Sequence, residues 1–426
     1  MYGVRRFHSA PPLARLWVRP RLAPRRADPK EYEELRRVVA PPRTQTGDVV
    51  VKPPIGRALG FVGSVAAVSF LGCAAWSVSK TECLAQNPSA RFFAPITSMF
   101  ADQYDTQRLS DAAEDDLVAQ ANRRLAWLAR NTKFLPEIVR SPILRMSMSA
   151  AEWYADQPAY KRAAVPVVAL NAGVFLAWLA APRLGTAAWM QRCMTHRPSS
   201  GRVVTLLTSV FSHKAAGHFL FNNLALWSVG GSALSTLALQ QAWESRKASV
   251  PDASPLPQFL AFFVTAGAFA SLTSHLVTAG RWRMAVQRIK DASRMLHRAA
   301  SSQRPQLGAQ IRAATAELMQ LAQRASLGAS GAIYAAFVLS ACAYPQASLS
   351  IIFLPFTAIP IQWGMAGLVL VDILGIVRGW RLFDHVAHLG GALFGLLYYL
   401  YGSAVWNASK RFAAQFRHGK PAPQYG

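Results

Sequence analysis

Long apolar stretches alternate with charged segments along the whole chain. A helix needs about 20 mainly apolar residues to cross a bilayer. Seven stretches are predicted as membrane spans, at Ala58–Ser79, Ala163–Ala181, about Ser212–Leu239, Leu256–Val277, Ser330–Tyr344, about Ile361–Val377 and His385–Tyr401. The pattern therefore predicts an all-α polytopic membrane protein with seven transmembrane helices.

Two charged segments interrupt the apolar series. Residues 80–162 hold eleven Lys/Arg and ten Asp/Glu, which predicts an aqueous helical connector. Residues 281–326 hold nine Lys/Arg and two acidic residues, with apolar positions at helical spacings. This basic insert is predicted to form two amphipathic helices, which could lie on a membrane surface or form a solvated hairpin.

Composition supports the membrane prediction and excludes other classes. The 426 residues are 52% hydrophobic and carry a formal net charge of +25, a combination that is rare in soluble domains. The basic residues avoid the apolar runs, so we expect no nucleic-acid partner. The four cysteines form no CxxC pair. We therefore expect neither zinc nor a disulfide framework, and no cofactor.

The first residues are rich in arginine, with seven Arg before the first acidic residue, Asp28. This is the composition of a mitochondrial transit peptide, although a basic tail is the alternative. Lys and Arg also favour one side of the membrane. With residues 1–57 in the matrix, the short matrix loops hold 15 Lys/Arg, against six for the 241–257 loop and the tail. The positive-inside rule then predicts a matrix N-terminus and a C-terminus in the intermembrane space.

One serine stands where an apolar run begins, in the stretch Gly328-Ala-Ser330-Gly331. The first N–H groups of a helix are unpaired and lie at the positive end of its dipole, which suits a nucleophile whose attack creates an oxyanion. Ala332 replaces the second glycine of the Gly-x-Ser-x-Gly elbow of soluble hydrolases. Taken alone, the stretch also fits a turn or a tight helix contact.

A histidine in the last span is a candidate base for this serine. Gly391 and Gly395 follow His388 on the same helical face, and the Gly-x-x-x-Gly spacing favours close helix packing. A helix that begins at Ser330 is a natural partner for that face, and Tyr334 could pack against the imidazole. An imidazole within reach of a hydroxyl is the minimum for an activated serine.

Other polar residues in the spans are candidates as well. His218 and Asn222 share a face of the third span, where Asn222 could donate to an oxyanion or make a polar interhelical contact. Asp372 is a conceivable third triad member, but a structural ion pair with nearby arginines or a helix-end role is favoured. The remaining histidines of interest are predicted to be interfacial or packing residues, namely His213, His275 and His385.

At these residues the chain resembles the rhomboid intramembrane serine proteases, and within them the mitochondrial presenilin-associated rhomboid-like branch. The resemblance covers roughly residues 160–405. It rests on four ordered blocks: Phe211-Ser-His213 with His218-x-x-x-Asn222, Leu327-Gly-Ala-Ser330-Gly-Ala-Ile, Ile351-Ile-Phe-Leu-Pro355, and Phe383-Asp-His-Val-Ala-His388-Leu-Gly-Gly-Ala-Leu-Phe-Gly395.

The resemblance implies a fold of one additional helix followed by a six-helix rhomboid core. Together with the apolar and charge patterns, this predicts a transit peptide and matrix-facing segment at 1–57, the additional transmembrane helix at 58–79, the connector at 80–162, the core with its insert at 163–405, and a basic tail at 406–426. The resemblance itself says little about residues 80–162.

The resemblance also implies a chemistry. Ser330 is the implied nucleophile and His388 the general base and acid of a Ser–His dyad without a catalytic carboxylate. His218 and Asn222 are the implied oxyanion donors, beside the Ser330 N–H. The supporting positions are Gly328, Gly331, Tyr334, Gly391 and Gly395. The implied substrates are single-span proteins of the mitochondrial inner membrane, such as its dynamin-like GTPase, within the lipid bilayer.

Two features depart from the family pattern, and other functions remain open. The first core loop lacks the Trp-Arg pair of bacterial members, and the insert at 281–326 is longer than expected. A catalytically silent rhomboid-like protein that binds membrane clients is one alternative. A transporter or proton channel is another, although no paired repeats are visible. A metalloprotease is disfavoured because no HExxH motif occurs.

Overall fold

The structure, a computed structural model, describes residues 50–85, 101–245, 252–351 and 354–418. The predicted transit peptide and the end of the basic tail lie largely outside these residues. The described chain is mainly α-helical, with one two-stranded sheet. Its helices are α1 Ile55–Ala85, α2 Ala101–Asn131, α3 Glu137–Asp156, α4 Ala159–Arg162, α5 Val165–Ala180, α6 Ala187–Cys193, α7 Thr205–Thr208, α8 Ala216–Ser245, α9 Leu256–Leu296, α10 Arg304–Gln323, α11 Ser330–Ala343, α12 Ile361–Arg378 and α13 His385–His418.

Four of the helices are long and apolar enough to cross a membrane: α1, α9, α12 and α13. The apolar helices α5 and α11 are shorter, and α8 covers the third predicted span. The prediction of an all-α membrane protein is therefore confirmed at this level, while the arrangement of seven spans stays a prediction. Helix α13 continues well beyond the predicted end at Tyr401.

A β-hairpin connects α11 to α12, at a place where the sequence showed only an irregular apolar stretch. Strand β1, Ser348–Ile351, pairs antiparallel with β2, Leu354–Pro360. Register shifts between Ser350 and Ile351. Pro360 ends the hairpin and directly precedes α12, consistent with the preference of proline for helix starts and strand ends.

The described chain divides into two compact units. Of the described residues, the first unit comprises 50–57, 196–203 and 275–325, and the second comprises those that fall within 58–195, 204–274 and 326–418. In the first unit, the end of α9 and helix α10 bury apolar side chains against each other, together with Val50. These side chains are Trp282, Ala285, Leu318, Leu321 and Ala322. Because the two apolar faces cover each other, the structure favours the helical hairpin over two helices lying separately on a membrane surface.

Hydrogen bonds tie the three segments of the first unit together. The Val51 N–H donates to the Ser199 carbonyl at 2.8 Å. The Ser199 hydroxyl donates in turn to the Ala322 carbonyl at 2.7 Å. The segment before α1, the loop after α6 and the basic insert therefore form one connected structure.

In the second unit, α11 packs against α8, α12 and α13. Its buried positions are mostly small, including Gly331, Ala332, Ala335 and Ala336. Larger side chains from α8, α9 and α11 fill the core around it, among them Leu226, Phe259, Phe262, Phe263 and Leu339. The serine at the start of α11 is thus carried on a helix that neighbours enclose.

A buried ion pair lies elsewhere in the second unit. The Lys410 ammonium group of α13 is 2.6 Å from Asp252 Oδ2, and both side chains are at most 2% exposed. The Trp406 indole N–H donates to the same oxygen at 3.1 Å, and the Ser77 hydroxyl of α1 donates to Oδ1. The Asp252 carboxylate therefore joins α1 and α13 with the segment that precedes α9.

Candidate active site

The segment before Ser330 adopts a backbone conformation that glycine takes readily and other residues do not. Gly328 has a φ of +120°, which side chains rarely tolerate, and a Cβ at this position would lie 2.6 Å from the His218 ring. The Gly328 N–H donates to the Ser209 carbonyl at 2.8 Å. These contacts fix the start of α11, where Ser330 is the first helical residue.

Ser330 and His388 are in hydrogen-bonding contact across 58 residues of sequence. The Ser330 hydroxyl lies 2.8 Å from His388 Nε2. His388 is buried, while Ser330 is half-buried and so remains accessible. The phenol ring of Tyr334 stacks on the imidazole, with ring centroids 4.4 Å apart and an interplanar angle of 15°. The stacking restricts the imidazole to the plane in which Nε2 faces the hydroxyl.

Close approach of α11 and α13 makes this contact possible. A Cβ at Gly391 would overlap the Gly331 carbonyl oxygen, and a Cβ at Gly395 would overlap the Ala335 carbonyl oxygen. Gly331 is itself packed against Ala270 of α9. The glycine face around His388 therefore meets the helix of Ser330 directly.

Asp372 lies on the other side of the His388 ring. Its Oδ1 atom is 3.1 Å from His388 Nδ1 and 2.6 Å from His385 Nδ1. The expected ion pair with Arg378 or Arg381 is wrong, because Asp372 faces α13, whereas Arg378 is six residues further on α12 and so on a different helical face. His385, predicted to be an interfacial or packing residue, is 3% exposed and packs against Gly375, but its hydrogen bond to Asp372 was not predicted.

The two ring nitrogens of His388 have different contacts and therefore different roles. A carboxylate can only accept, so Nδ1 carries the proton that faces Asp372, and Nε2 is left to accept from the Ser330 hydroxyl. This is the orientation in which an imidazole removes a proton from a nucleophile while a carboxylate holds the ring. The arrangement is chemically suited to acyl transfer.

His218 lies against the backbone that precedes Ser330, and Asn222 follows it by one turn of α8. The His218 ring packs against Gly328, two residues before Ser330. One N–H of the Asn222 amide donates to the His218 carbonyl at 2.9 Å, which leaves the second N–H of that nitrogen for another acceptor. The structure thus places His218 against the segment that precedes Ser330, with Asn222 one turn further along the same helix.

Residues 200–405 match the family model of the rhomboid domain. The chain contains a rhomboid domain. The match includes every residue of the site described above, and it confirms the resemblance seen in the sequence. Helices α1 to α6 and the end of α13 lie outside it.

The chain is similar to proteins whose names describe them as rhomboid-like and mitochondrial. The chain is 27% identical over 268 residues to presenilin-associated rhomboid-like protein A, mitochondrial, of Danio rerio, covering 61% of this chain and 55% of the relative. It is 27% identical over 259 residues to the Homo sapiens protein of that name, covering 60% and 52%. It is 29% identical over 231 residues to RHOMBOID-like protein 12, mitochondrial, of Arabidopsis thaliana, covering 53% and 54%.

The alignments span about half the length of these curated relatives. No solved structure matches the chain significantly. The likeness therefore establishes the domain and the branch that it resembles, and the chemistry depends on the geometry of the site.

One further residue of the rhomboid domain, predicted from the sequence to be an interfacial or packing residue, contacts the segment that precedes Ser330. His213 is fully buried, and its Nε2 atom accepts a hydrogen bond from the Ala329 N–H at 3.4 Å. Its ring lies 5.1 Å from that of His218. His213 thus helps to hold the segment that precedes Ser330. The available signal was its place in the Phe211-Ser-His213 block of the resemblance.

The start of α13 is fixed by an aspartate cap. Asp384 Oδ1 accepts from the Ala387 N–H at 3.2 Å, as an N-cap residue does. The hydroxyl of Ser274 lies 2.9 and 2.7 Å from the two oxygens of the same carboxylate. This cap sets where α13 begins within the rhomboid domain, and therefore where His385 and His388 point.

Proposed function

We propose that this chain is an intramembrane serine protease that hydrolyses peptide bonds in or near the transmembrane segments of mitochondrial inner-membrane proteins. The observation that carries the proposal is the 2.8 Å contact between Ser330 and His388 within a rhomboid domain. A serine–imidazole contact between two apolar helices is costly unless it serves chemistry.

In the proposed mechanism, the Ser330 hydroxyl attacks the substrate carbonyl while His388 Nε2 takes its proton. The Ser330 backbone N–H and the free N–H of Asn222 stabilise the resulting oxyanion, with His218 as a further donor. His388 then protonates the leaving amine, and a water molecule hydrolyses the acyl-enzyme by the reverse proton path.

The role of Asp372 goes beyond the dyad that the resemblance implies. Its carboxylate oxygen lies 3.1 Å from His388 Nδ1. In that place it keeps the proton on Nδ1 and favours the imidazolium that forms during attack. We assign it as a positioning residue, which supports the Ser330–His388 pair without contacting the substrate.

The proposed substrates are single-span proteins that enter sideways from the lipid bilayer, with the dynamin-like GTPase of the inner membrane as one candidate. A hydrogen-bonded helix hides its carbonyls, so residues that break the helix near the cleaved bond should favour cleavage. The mitochondrial names of the similar proteins support the location.

The proposed topology has the N-terminus in the matrix and the C-terminus in the intermembrane space. Three segments assigned to the matrix are linked through Val51, Ser199 and Ala322. The 241–257 loop and the tail region, both assigned to the intermembrane space, are joined by the Asp252–Lys410 pair. The Arg417–Glu82 pair joins the tail region to the end of α1. Both sets of links support this assignment, since linked segments must share a side.

Proteolysis of mitoplasts with an intact inner membrane tests the topology. Added protease should digest a C-terminal tag and the connector at 80–162, and it should spare the insert at 281–326. Digestion of the insert together with protection of the tag would show an inverted orientation.

A catalytically silent client-binding protein is the second candidate. The Ser330–His388 contact argues against a silent protein, because client binding alone does not require a hydroxyl aligned with an imidazole. To separate the two, the purified chain is reconstituted in liposomes with a panel of single-span mitochondrial proteins. Cleavage by the wild type and not by Ser330→Ala supports the protease. Equal binding without any cleavage by either supports the silent protein.

A further inference from the structure

We propose that His385 is a positioning residue of this active site, which holds the Asp372 carboxylate in the orientation that serves His388. The inference rests on the proposed protease function. It adds to the site a residue that neither removes a proton from the nucleophile nor contacts the substrate.

The two histidines share a single carboxylate oxygen. Asp372 Oδ1 is 2.6 Å from His385 Nδ1 and 3.1 Å from His388 Nδ1. The shorter contact is therefore made by the histidine that does not touch the serine. An oxygen that accepts two donors at once has its position fixed by both of them.

Burial makes the second donor necessary. Asp372 is 2% exposed, and among the described residues its ion-pair partners are the two histidines. The hydroxyl of Tyr334 is the other polar group that faces it. A buried carboxylate without enough donors is costly and takes up a proton instead. A protonated Asp372 would no longer hold the Nδ1 proton of His388 by charge.

His385 acts as a fixed donor, because its Nε2 atom is enclosed by apolar packing and has, in the described part of the chain, no group with which to exchange a proton. With Nδ1 donating to Asp372, its Nε2 atom packs against Gly375 of α12, where a Cβ would overlap the ring. Among the described residues this Nε2 has no hydrogen-bond partner. The ring is enclosed further by Trp380 and Phe383, whose centroids lie 6.4 and 6.2 Å away. The same packing that excludes proton transfer at Nε2 keeps Nδ1 aimed at the carboxylate.

The contact also sets the distance between two helices of the site. Asp372 and Gly375 belong to α12, whereas His385 and His388 are one turn apart at the start of α13. The Asp384 cap fixes that start. His385 therefore transmits the position of α12 to the ring that activates Ser330.

A matched pair of substitutions tests the donor. Asn places its Nδ2 atom where His385 has Nδ1, and Leu has the same branching without a donor. In proteoliposomes with a quenched fluorescent single-span peptide, His385→Leu should lower kcat by about 10–100-fold, by analogy with the loss of a hydrogen-bond partner behind a metal-binding histidine. Its KM should change little, and His385→Asn should stay within about threefold of the wild type.

The effect should also require the carboxylate. In an Asp372→Asn background, His385→Leu should cause no further loss, because the two residues act as one unit. Equal loss in the Leu and Asn variants, or a loss that persists in full in the Asp372→Asn background, would overturn the inference and leave His385 as a packing residue. An unchanged kcat in His385→Leu would overturn it as well.

Two controls separate this inference from the proposed function. If the wild type and Ser330→Ala behave alike, the protease proposal fails. If they differ while His385→Leu matches the wild type, only the role of His385 fails. Should His385→Leu not accumulate in the membrane, His385→Asn decides alone. Wild-type turnover then supports the donor role, and a loss as large as that of Asp372→Ala overturns it.

Discussion

His388 Nδ1 lies 3.1 Å from Asp372 Oδ1, on the side of the ring opposite to Ser330. The two residues are 16 positions apart and belong to different helices. The imidazole is thereby held between a carboxylate and a hydroxyl, each on its own nitrogen. This relationship gives the site more than the serine–histidine dyad that the resemblance implies.

Replacing Asp372 should slow the chemistry without weakening substrate binding. We expect Asp372→Asn to lower kcat by about 10–100-fold, because the amide can no longer hold the Nδ1 proton by charge. KM should change by less than about threefold. Steady-state kinetics in proteoliposomes measures both. An unchanged kcat would show that the carboxylate serves only packing.

Ser330 and His388 were predictable from sequence because local signals mark both. A serine at a helix start and a histidine on a glycine face each carry information within one or two helical turns. The contacts of Asp372 with His385 and His388 were not predicted, for a physical reason. The face of α12 that packs against α13 is determined by tertiary packing. The residues close to Asp372 in sequence, such as Arg378, do not indicate which face this is.

Other parts of the fold show the same limit. The β-hairpin at Ser348–Pro360 contains two prolines. In the sequence these prolines interrupt the apolar stretch before α12, so they predicted irregular structure rather than strands. The Asp252–Lys410 pair joins residues 158 positions apart. No local sequence pattern around either residue predicts that the two form an ion pair. The mutual burial of the two insert helices likewise required three-dimensional packing.

Asn222 should contribute to turnover rather than to binding. If its free N–H donates to the oxyanion, Asn222→Ala should lower kcat by about 10²–10³-fold. Asn223 is the matched control, since its amide donates to the Phe219 carbonyl at 2.7 Å and accepts from Asn171 at 3.0 Å. Asn223→Ala should reduce thermal stability and leave kcat nearly intact. A loss confined to KM in Asn222→Ala would reassign this residue to a substrate contact.

The glycine contact between α11 and α13 should tolerate no methyl group. In Gly391→Ala the new Cβ would overlap the Gly331 carbonyl, so α13 must move away from Ser330. Overpacking of this kind costs about 1–3 kcal/mol, and turnover should fall with it. Gly367 of α12 has no heavy atom within 4 Å of a built Cβ, so Gly367→Ala should be neutral or stabilising. Thermal unfolding in detergent compares the two, and equal behaviour would refute the close approach.

The buried ion pair should be costly to break from one side. Lys410→Met leaves the Asp252 carboxylate buried without its cation, which should destabilise the protein by about 3–5 kcal/mol. Asp252→Asn combined with Lys410→Met should recover most of that loss. The partly exposed pair of Arg417 and Glu82 is the control, worth about 0–1 kcal/mol. A single variant as stable as the wild type would mean that water reaches the site.

The central claim is that His388 activates Ser330 as a nucleophile, and covalent labelling tests it most directly. A fluorophosphonate probe is added to the purified protein in liposomes, and the modified residue is mapped by peptide mass spectrometry. We expect one adduct, on Ser330, with none in Ser330→Ala and labelling at least about 10²-fold slower in His388→Ala. A folded His388→Ala protein that labels as fast as the wild type, or an adduct on another residue, would contradict the claim.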